Sequence, residues 1–261
     1  NNIEDISDIQ VNGGRIISLC KERNILLIED VCESHGATFK DKKCGSIGFA
    51  SNFSFYFAHH MTTIEGGMIC TNDDKFYQIC RALRSHGMVR EMTDEDYKEK
   101  IINENPDLNS DFIFIGPAHN FRSTEINAVI GLNQLPRLDA NNKIRSSNFE
   151  YFIENLDSKK YITNLEMEGQ SNYAFITILK EPSFEKRNII ESTLKEYGIE
   201  FRRGLSGGGN QLRQPYFKNK NINLNMFPNV EHVHNFSWYI GNYPSLSKEK
   251  IDQLINLLNK L

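Results

Sequence analysis

Residues 51–67 read SNFSFYFAHHMTTIEGG, an aromatic run that ends in two adjacent histidines and continues through a Thr-rich link to Glu-Gly-Gly. The aromatic residues of this run favour a β-strand. Short loops that follow the strands of an α/β sheet are where such folds build their ligand sites. We therefore expect the chemistry of this protein at His59 and His60, directly after the strand.

The segment before this run predicts a helix followed by a strand. In residues 14–24, apolar side chains recur at helical spacing among charged ones, which is typical of an amphipathic helix packed on a sheet. Residues 25–28 then form a continuous apolar run that Glu29 and Asp30 close. A strand that is apolar on both faces is typical of a parallel sheet covered by helices. Asp30 would lie at its carboxyl end, where open α/β sheets bind ligands.

Farther along the chain, strand and helix patterns alternate. They predict a strand over 67–71, a helix over about 73–86, helices over about 123–135 and 141–156, a strand over 173–179, a helix over 185–197, a strand over 199–202 and a helix over 248–261. Residues 91–111 are polar and acidic, and we interpret them as a surface insertion or a lid over the site. This order predicts a large domain over residues 1–138 and, over residues 139–261, an interdomain helix and a small α/β domain.

The composition is that of an ordinary soluble protein. The 261 residues carry a formal net charge of -4 with 25% charged residues, which gives no electrostatic reason to expect nucleic acid or an anionic membrane as a partner. No apolar run approaches the roughly 20 residues of a membrane span. The polar, acidic N-terminus is unlike a signal peptide and does not begin with Met, so we interpret the chain as a fragment whose N-terminal part lies outside this sequence.

The cysteines and histidines do not predict a metal site. The five cysteines form no CxxC or CxC pair, which is typical of reduced thiols in a cytoplasmic enzyme and argues against an iron–sulfur cluster or structural zinc. His59, His60 and Glu65 could be imagined as ligands. Adjacent residues of an extended chain point in opposite directions, however, and the spacing matches no common zinc signature.

Seven motifs occur in order along the chain. They are EDVCESHGAT at 29–38, KCGSIG at 43–48, FSFY at 53–56, EGG at 65–67, RSHG at 84–87, GPAHNFR at 116–122 and GIEFR at 198–202. Together they resemble the DegT/DnrJ/EryC1/StrS family, whose members bind pyridoxal phosphate (PLP) and act on nucleotide-linked keto sugars. The resemblance covers nearly the whole chain. It implies the α/β fold of fold-type-I PLP-dependent transferases, N-terminally truncated, with a mostly parallel sheet in the large domain and a small C-terminal domain.

The resemblance also implies roles for single residues. Asp30 would pair with the pyridine nitrogen of the cofactor and keep the ring protonated, which makes the ring an electron sink. Ser54 would bind the cofactor phosphate, and Asn120 would reach the phosphate in the partner subunit of a homodimer. Without the family, Asp30 would be a turn cap, Ser54 a serine on a strand face and Asn120 a loop residue.

Two positions depart from the aminotransferase pattern. His59 replaces the lysine that holds the cofactor as a Schiff base, and no lysine occurs between Lys43 and Lys75. Glu33 stands where the aminotransferases more often have Gln beside the ring hydroxyl. Both departures occur together in the 3-dehydratase branch of the family, which implies a lyase of deoxysugar biosynthesis for surface polysaccharide such as lipopolysaccharide.

That branch implies a specific use of His59. Noncovalently held pyridoxamine phosphate (PMP) would condense with the keto group of a nucleotide-linked 4-keto-6-deoxysugar, and His59 would act as general base and then as acid for the departing 3-hydroxyl. L-glutamate would regenerate PMP. By position, His86 and Arg90 would contact the sugar or the glutamate carboxylate, although a helix C-terminus also favours a histidine.

Other interpretations stay open. One is a sugar aminotransferase with an unusual base, and another is a noncatalytic relative, because the family's phosphate loop and ring-stacking aromatic residue precede the matching segment. A sister branch with the same His-His pair uses an iron–sulfur cluster, which needs clustered thiolates that this sequence lacks. The Gly-rich residues 206–209 could cradle a phosphate, but such a loop is more often a plain turn.

Overall fold

The computed structural model of this protein describes residues 8–205 and 208–261. These residues divide into two compact units, which we call the site unit (residues 17–35 and 42–137) and the C-terminal unit (residues 8–16, 36–41, 138–205 and 208–261). None of the helices in the described part of the chain combines the length and the apolarity that a bilayer-spanning helix requires.

Eight strands and eight α-helices make up most of the regular structure of the described residues. The strands are β1 (Ile28–Asp30), β2 (Thr38–Phe39), β3 (Lys42–Lys43), β4 (Ala50–Ser54), β5 (Gly67–Thr71), β6 (Ala174–Ile178), β7 (Phe201–Arg203) and β8 (Ser237–Gly241). The helices are α1 (Asp8–Glu22), α2 (Asp74–Leu83), α3 (Glu95–Glu104), α4 (Glu125–Gln134), α5 (Leu138–Asn155), α6 (Phe184–Glu196), α7 (Pro228–Phe236) and α8 (Lys248–Lys260).

The main sheet of the site unit has the strand order β1-β4-β5. β1 pairs with β4 in parallel, and the register places Asp30 opposite Asn52. β4 pairs with β5 in antiparallel fashion, with Ser54 opposite Gly67. Because parallel strands end on the same side of a sheet, Asp30 and Ser54 both lie at the carboxyl edge of this sheet.

The predicted strand over residues 25–28 is wrong in its limits and in the expected burial of its side chains. β1 begins only at Ile28, and the apolar side chains expected to be buried are exposed, with Ile25 at 57%, Leu26 at 64% and Ile28 at 62%. In the described residues β1 is an outer strand of the sheet, with β4 on one side. Ile16 and Leu19 of α1 are also about half exposed, so the expected packing of this helix on a sheet is not seen there.

A single carboxylate organises the loop that leads into β4. Glu29 on β1 accepts hydrogen bonds from the backbone N–H groups of Gly45, Ile47 and Gly48, each at 2.7 Å. Gly48 has no room for a side chain, because a Cβ there would lie 2.5 Å from the carbonyl oxygen of Leu27. The loop is therefore held against β1 by its backbone, and this contact sets where β4 begins.

The end of α2 and the segment after it differ from prediction. The helix is capped by Asp73, whose side chain accepts a bond from the N–H of Phe76 at 2.7 Å, but it ends at Leu83 and not near His86. Gly87, with φ +81, closes the following turn by donating its N–H to the carbonyl oxygen of Ala82 at 2.9 Å.

Within residues 91–111, where no helix is predicted, the structure forms one. They contain α3, whose first turn is capped by the Asp94 side chain through the N–H of Tyr97 at 3.0 Å. A small core joins this segment to the end of α2. It consists of the buried residues Ala82, Val89, Met92 and Ile113, with Tyr97, Ile101 and Ile102 packed against them. The many acidic residues of the segment make the apolar face of α3 hard to recognise in the sequence.

The C-terminal unit contains an antiparallel sheet with the order β6-β8-β7. Its central strand, β8, and the preceding α7 are absent from the sequence prediction, although β8 carries Trp238, which is fully buried. The Trp238 indole N–H donates to the Glu191 carboxylate at 2.9 Å, and Arg203 of β7 pairs with the same carboxylate. Of the Gly-rich loop at 206–209, the first two positions lie outside the described residues.

We expect the substitution Glu29→Gln to destabilise the fold. The amide nitrogen of Gln cannot accept a hydrogen bond, so one or two of the three loop N–H groups would lose their partner, at a cost of about 1–3 kcal/mol in the free energy of unfolding. Denaturant unfolding measures this, with Glu22→Gln at the exposed end of α1 as the matched control. Equal unfolding midpoints for the two variants would show that the carboxylate does not hold the loop.

Candidate active site

Polar side chains from β1, β4 and the loop after β4 gather at the carboxyl edge of the main sheet. The carboxylate of Glu33 lies 3.7 Å from Nε2 of His59, within ion-pair distance. The charge of His59 in turn contributes to the lowered pKa of Asp30. Ser54 ends β4 at the same edge, and its Oγ accepts a bond from the N–H of Tyr56 at 3.3 Å.

The hydrogen bonds to Asp30 converge on one of its two oxygens. Oδ1 accepts from the backbone N–H of Cys32 at 3.1 Å and from the side-chain amide of Asn52 at 3.1 Å. Bonds from the thiol and backbone of Cys32, then the bond from Asn52 and the charge of His59, lower the pKa of Asp30. Asp30 is exposed and is therefore an anion at neutral pH that can meet a ligand.

The thiol of Cys32 stays protonated beside this anion. Burial, followed by its hydrogen bond to Asp30, raises the pKa of Cys32 to about 11. The amide of Asn52 also lies 3.1 Å from the Cys32 sulfur, so one amide contacts both side chains. Sequence reasoning missed Asn52. The signal that could have found it is its position opposite Asp30, which follows only from the strand register.

His59 is held by its own loop. Its backbone N–H donates to the carbonyl oxygen of Tyr56 at 3.1 Å, and its ring meets the Tyr56 ring edge-on with centroids 5.4 Å apart. The side chain is 13% exposed and faces Glu33. An imidazole held next to a carboxylate at the edge of a sheet is suited to accept and return a proton.

His60 and His35 form a buried pair behind this edge. Both are 3% exposed, and their rings stack with centroids 5.5 Å apart. The ring of His35 also contacts Phe53 and Phe55. Burial, reinforced by the charge of His59 and opposed by a bond to the Ser54 backbone, lowers the pKa of His35 to about 4. The two adjacent histidines thus have different contacts, since His59 faces Glu33 and His60 stacks on His35.

The link from Met61 to Gly67 is fixed by α4. Asn127 donates its side-chain amide to the carbonyl oxygens of Thr63 at 2.7 Å and Glu65 at 3.2 Å. The same residue completes a capping box with Thr124 at the start of α4. Asn127 is a second supporting residue that the sequence did not reveal, because both its roles depend on where α4 lies.

Asn120, His86 and Arg90 make their contacts around the turn after α2. Ser85 and Asn120 form an antiparallel bridge, and the N–H of His86 donates to the carbonyl oxygen of His119 at 2.8 Å. The guanidinium of Arg90 lies over the Phe112 ring, 5.2 Å from its centroid. All three side chains are exposed. Their assignment to cofactor or substrate remains a prediction.

Comparison with known proteins gives a consistent result. The model of the DegT/DnrJ/EryC1/StrS aminotransferase family matches residues 11–259. A GDP-4-keto-6-deoxy-D-mannose 3-dehydratase from Escherichia coli O55:H7 is 30% identical over 266 residues, covering 99% of this chain and 64% of the relative. A GDP-perosamine synthase from Caulobacter vibrioides is 32% identical over 191 residues, covering 72% of this chain and 47% of the relative.

A solved structure matches equally well. It is a crystal structure of GDP-4-keto-6-deoxymannose-3-dehydratase with a trapped PLP-glutamate geminal diamine, at a TM-score of 0.75 and 29% identity, covering 95% of this chain and 64% of that one. The predicted fold class is thereby confirmed. This chain spans somewhat less than two thirds of the length of these dehydratases.

We expect His35 to make the fold sensitive to acid. The unfolded chain protonates position 35 near its ordinary pKa of 6.5, whereas the folded chain does so only near pH 4. Stability from this residue is therefore complete above about pH 6.5 and falls between pH 6.5 and 4, by about 3 kcal/mol in total.

Unfolding curves across this pH range measure the effect. His35→Asn keeps a hydrogen-bond donor and cannot titrate, so its free energy of unfolding should vary less with pH than that of the natural chain. His119→Asn removes an exposed histidine instead and should keep the full slope. Parallel pH profiles for the natural chain and His35→Asn would contradict the assignment.

Proposed function

Because the chain belongs to the DegT/DnrJ/EryC1/StrS aminotransferase family, we propose that it acts as a PMP/PLP-dependent 3-dehydratase of a nucleotide-linked 4-keto-6-deoxysugar. The observation that carries this proposal is the pair of His59 and Glu33, 3.7 Å apart at the carboxyl edge of the sheet, where the resemblance implies the lysine of the aminotransferases. A base that cannot hold the cofactor covalently fits elimination better than transamination. The similarity to proteins that are named as 3-dehydratases supports the same proposal.

The residues present fit this cofactor. Asp30 offers an exposed anionic carboxylate whose bonds from Cys32 and Asn52 fall on Oδ1, which leaves Oδ2 for a protonated ring nitrogen. Glu33 would lie beside the ring hydroxyl and Ser54 would bind the phosphate. Asn120 would complete a phosphate site across a homodimer. When bound, PMP supplies the amine that condenses with the keto carbon and a ring that accepts the electron pair.

The protein's own part in the reaction is proton transfer. A neutral imidazole can accept a proton at Nε2 of His59 and return it to the departing 3-hydroxyl as acid. The carboxylate of Glu33 stabilises the imidazolium between these steps because the two groups lie within ion-pair distance. Tyr56 packs edge-on against the ring and limits its rotation.

The proposed reaction balances with L-glutamate as the reductant. The sugar loses its 3-hydroxyl oxygen and keeps the 4-keto group, while glutamate is oxidised to 2-oxoglutarate and ammonia. The oxygen removed from the sugar is thus matched by the one gained by the amino acid. Arg90 and His86, both exposed, would bind the glutamate carboxylate or the sugar. The product would serve surface polysaccharide synthesis, lipopolysaccharide included, in the cytoplasm.

Exposed apolar residues on α4 support the proposed homodimer. Ile126, Val129 and Leu132 are 72%, 65% and 70% exposed, on the helix that follows Asn120. Contiguous apolar surface of this kind marks interaction sites. A second copy seated on α4 would bring its own Asn120 loop close to the shared surface, as the phosphate role of this residue requires.

A sugar aminotransferase is the second candidate, favoured by the GDP-perosamine synthase relative. The two functions differ in product, because transamination leaves nitrogen on carbon 4 and the 3-hydroxyl in place. The intact protein that carries this chain, supplied with PLP, L-glutamate and GDP-4-keto-6-deoxymannose, should yield a sugar that lacks one oxygen by mass spectrometry. A stable 4-amino sugar would overturn the dehydratase proposal, and cofactor binding without turnover would favour a noncatalytic role.

His59→Asn tests the proposed base. Loss of general acid–base catalysis should lower kcat by at least about 100-fold, while the cofactor dissociation constant changes little. His119→Asn, which removes an exposed imidazole elsewhere, is the matched control and should keep full activity. If His59→Asn retained activity, another group would have to be the base.

Val129→Lys tests the subunit contact. A charge within the apolar α4 face should convert a dimer to a monomer in sedimentation velocity and reduce cofactor affinity, because Asn120 of a second copy would be lost. Asn103→Lys places the same charge on an exposed position of α3 and should leave the dimer intact. A monomeric natural protein with full activity would refute the shared site.

A further inference from the structure

Asp30 is held by donors that all approach from one side. The backbone N–H of Cys32 and the side-chain amide of Asn52 both donate to Oδ1 at 3.1 Å. The Cys32 thiol also contributes to the lowered pKa of this carboxylate, and its sulfur lies 3.1 Å from the same Asn52 amide nitrogen. Neither Asn52 nor Cys32 has a part in the proposed chemistry. Their shared feature is contact with the one carboxylate that would meet the cofactor ring.

The position of Asn52 follows from the sheet. The parallel register sets it directly opposite Asp30, and the next backbone bond, from the N–H of Val31 to the carbonyl oxygen of Asn52 at 2.9 Å, continues that pairing. The Asn52 amide bridges the two strands by contacting the sulfur of Cys32 as well, at 3.1 Å. Asn52 is therefore held at its backbone by the pairing of β1 with β4, and at its side-chain amide by Asp30 and Cys32.

We propose that Asn52 and Cys32 are positioning residues that bind Oδ1 of Asp30 and so direct Oδ2 toward the protonated ring nitrogen of the cofactor. This inference rests on the proposed PLP chemistry. An aspartate side chain that ends a strand can rotate about its terminal bond, which exchanges the two oxygens. Donors on one oxygen restrict this rotation before the ligand binds, so binding costs less conformational entropy.

The two residues would also keep Asp30 ionised. Hydrogen bonds to a carboxylate favour its charged form. A protonated thiol is required for the donor role, and burial with the adjacent anion keeps the pKa of Cys32 at about 11. Cys32 would therefore act as a donor throughout the range in which enzymes work and not as a nucleophile.

The test compares four variants of the intact protein, Asn52→Ala, Asn52→Asp, Cys32→Ala and Cys32→Ser. Asn72→Ala, an exposed position between β5 and α2, is the control. The first readout needs no cofactor and is the pKa of the Asp30 carboxyl, followed by carbon-13 NMR. It should rise in Asn52→Ala and in Cys32→Ala, rise further in Asn52→Asp because of like-charge repulsion, and stay nearly unchanged in Cys32→Ser.

The second readout uses PMP labelled with nitrogen-15 in its ring. Asn52→Ala should bind PMP about tenfold more weakly, as expected for one lost bond to a charged group, and its ring nitrogen should lose part of its proton. A variant that only disturbed the fold would not change the nitrogen shift of the PMP it still binds. Near-UV circular dichroism checks the fold, and Cys32→Ser keeps the test open if the alanine variants do not fold.

The two proposals fail separately. If folded Asn52→Ala and Cys32→Ala variants keep the carboxyl pKa of Asp30 and the ring-nitrogen protonation of the natural protein, the positioning role is wrong whatever the reaction. If these readouts change as expected while the natural protein makes a 4-amino sugar, the positioning role stands and the dehydratase proposal falls.

Discussion

The carboxylate of Glu29 is the constraint on which the site unit depends. It accepts three backbone N–H groups of the loop before β4, each at 2.7 Å, and so ties that loop to β1. With the loop fixed, the parallel register of the two strands follows and sets Asp30 opposite Asn52. The register determines which side chains lie together at the carboxyl edge of the sheet, because a slip of one residue would turn each side chain of β4 to the other face.

The three histidines near this edge have different surroundings. His35 is buried among aromatic rings, and this burial keeps it neutral, so it packs and does not titrate near neutral pH. His60 stacks on it and shares its burial. His59, one residue earlier, reaches the edge and meets Glu33. His59 is thus the imidazole that faces a carboxylate, whereas His35 and His60 pack against each other behind it.

Fold alone does not choose between elimination and transamination, since both dehydratases and a transaminase are among the relatives. The difference is local. A lysine at the position of His59 would hold the cofactor and act as its base, whereas an imidazole can do only the second.

The sequence by itself determined which residues are candidates for the chemistry and which elements have strong local signals. Asp30 and His59 follow from their places at strand ends, β5 from its pattern and α2 from its Asp73 cap, whereas the role expected of Ser54 comes from the family resemblance. Only the tertiary structure decided the roles of Asn52, His35 and Asn127, because each acts through a partner distant in sequence. The same holds for β8, a five-residue strand with ambiguous periodicity that becomes a strand by pairing with β6 and β7 on both sides. Local sequence patterns indicate which secondary structure a segment can form, whereas strand register and packing determine which side chains come into contact.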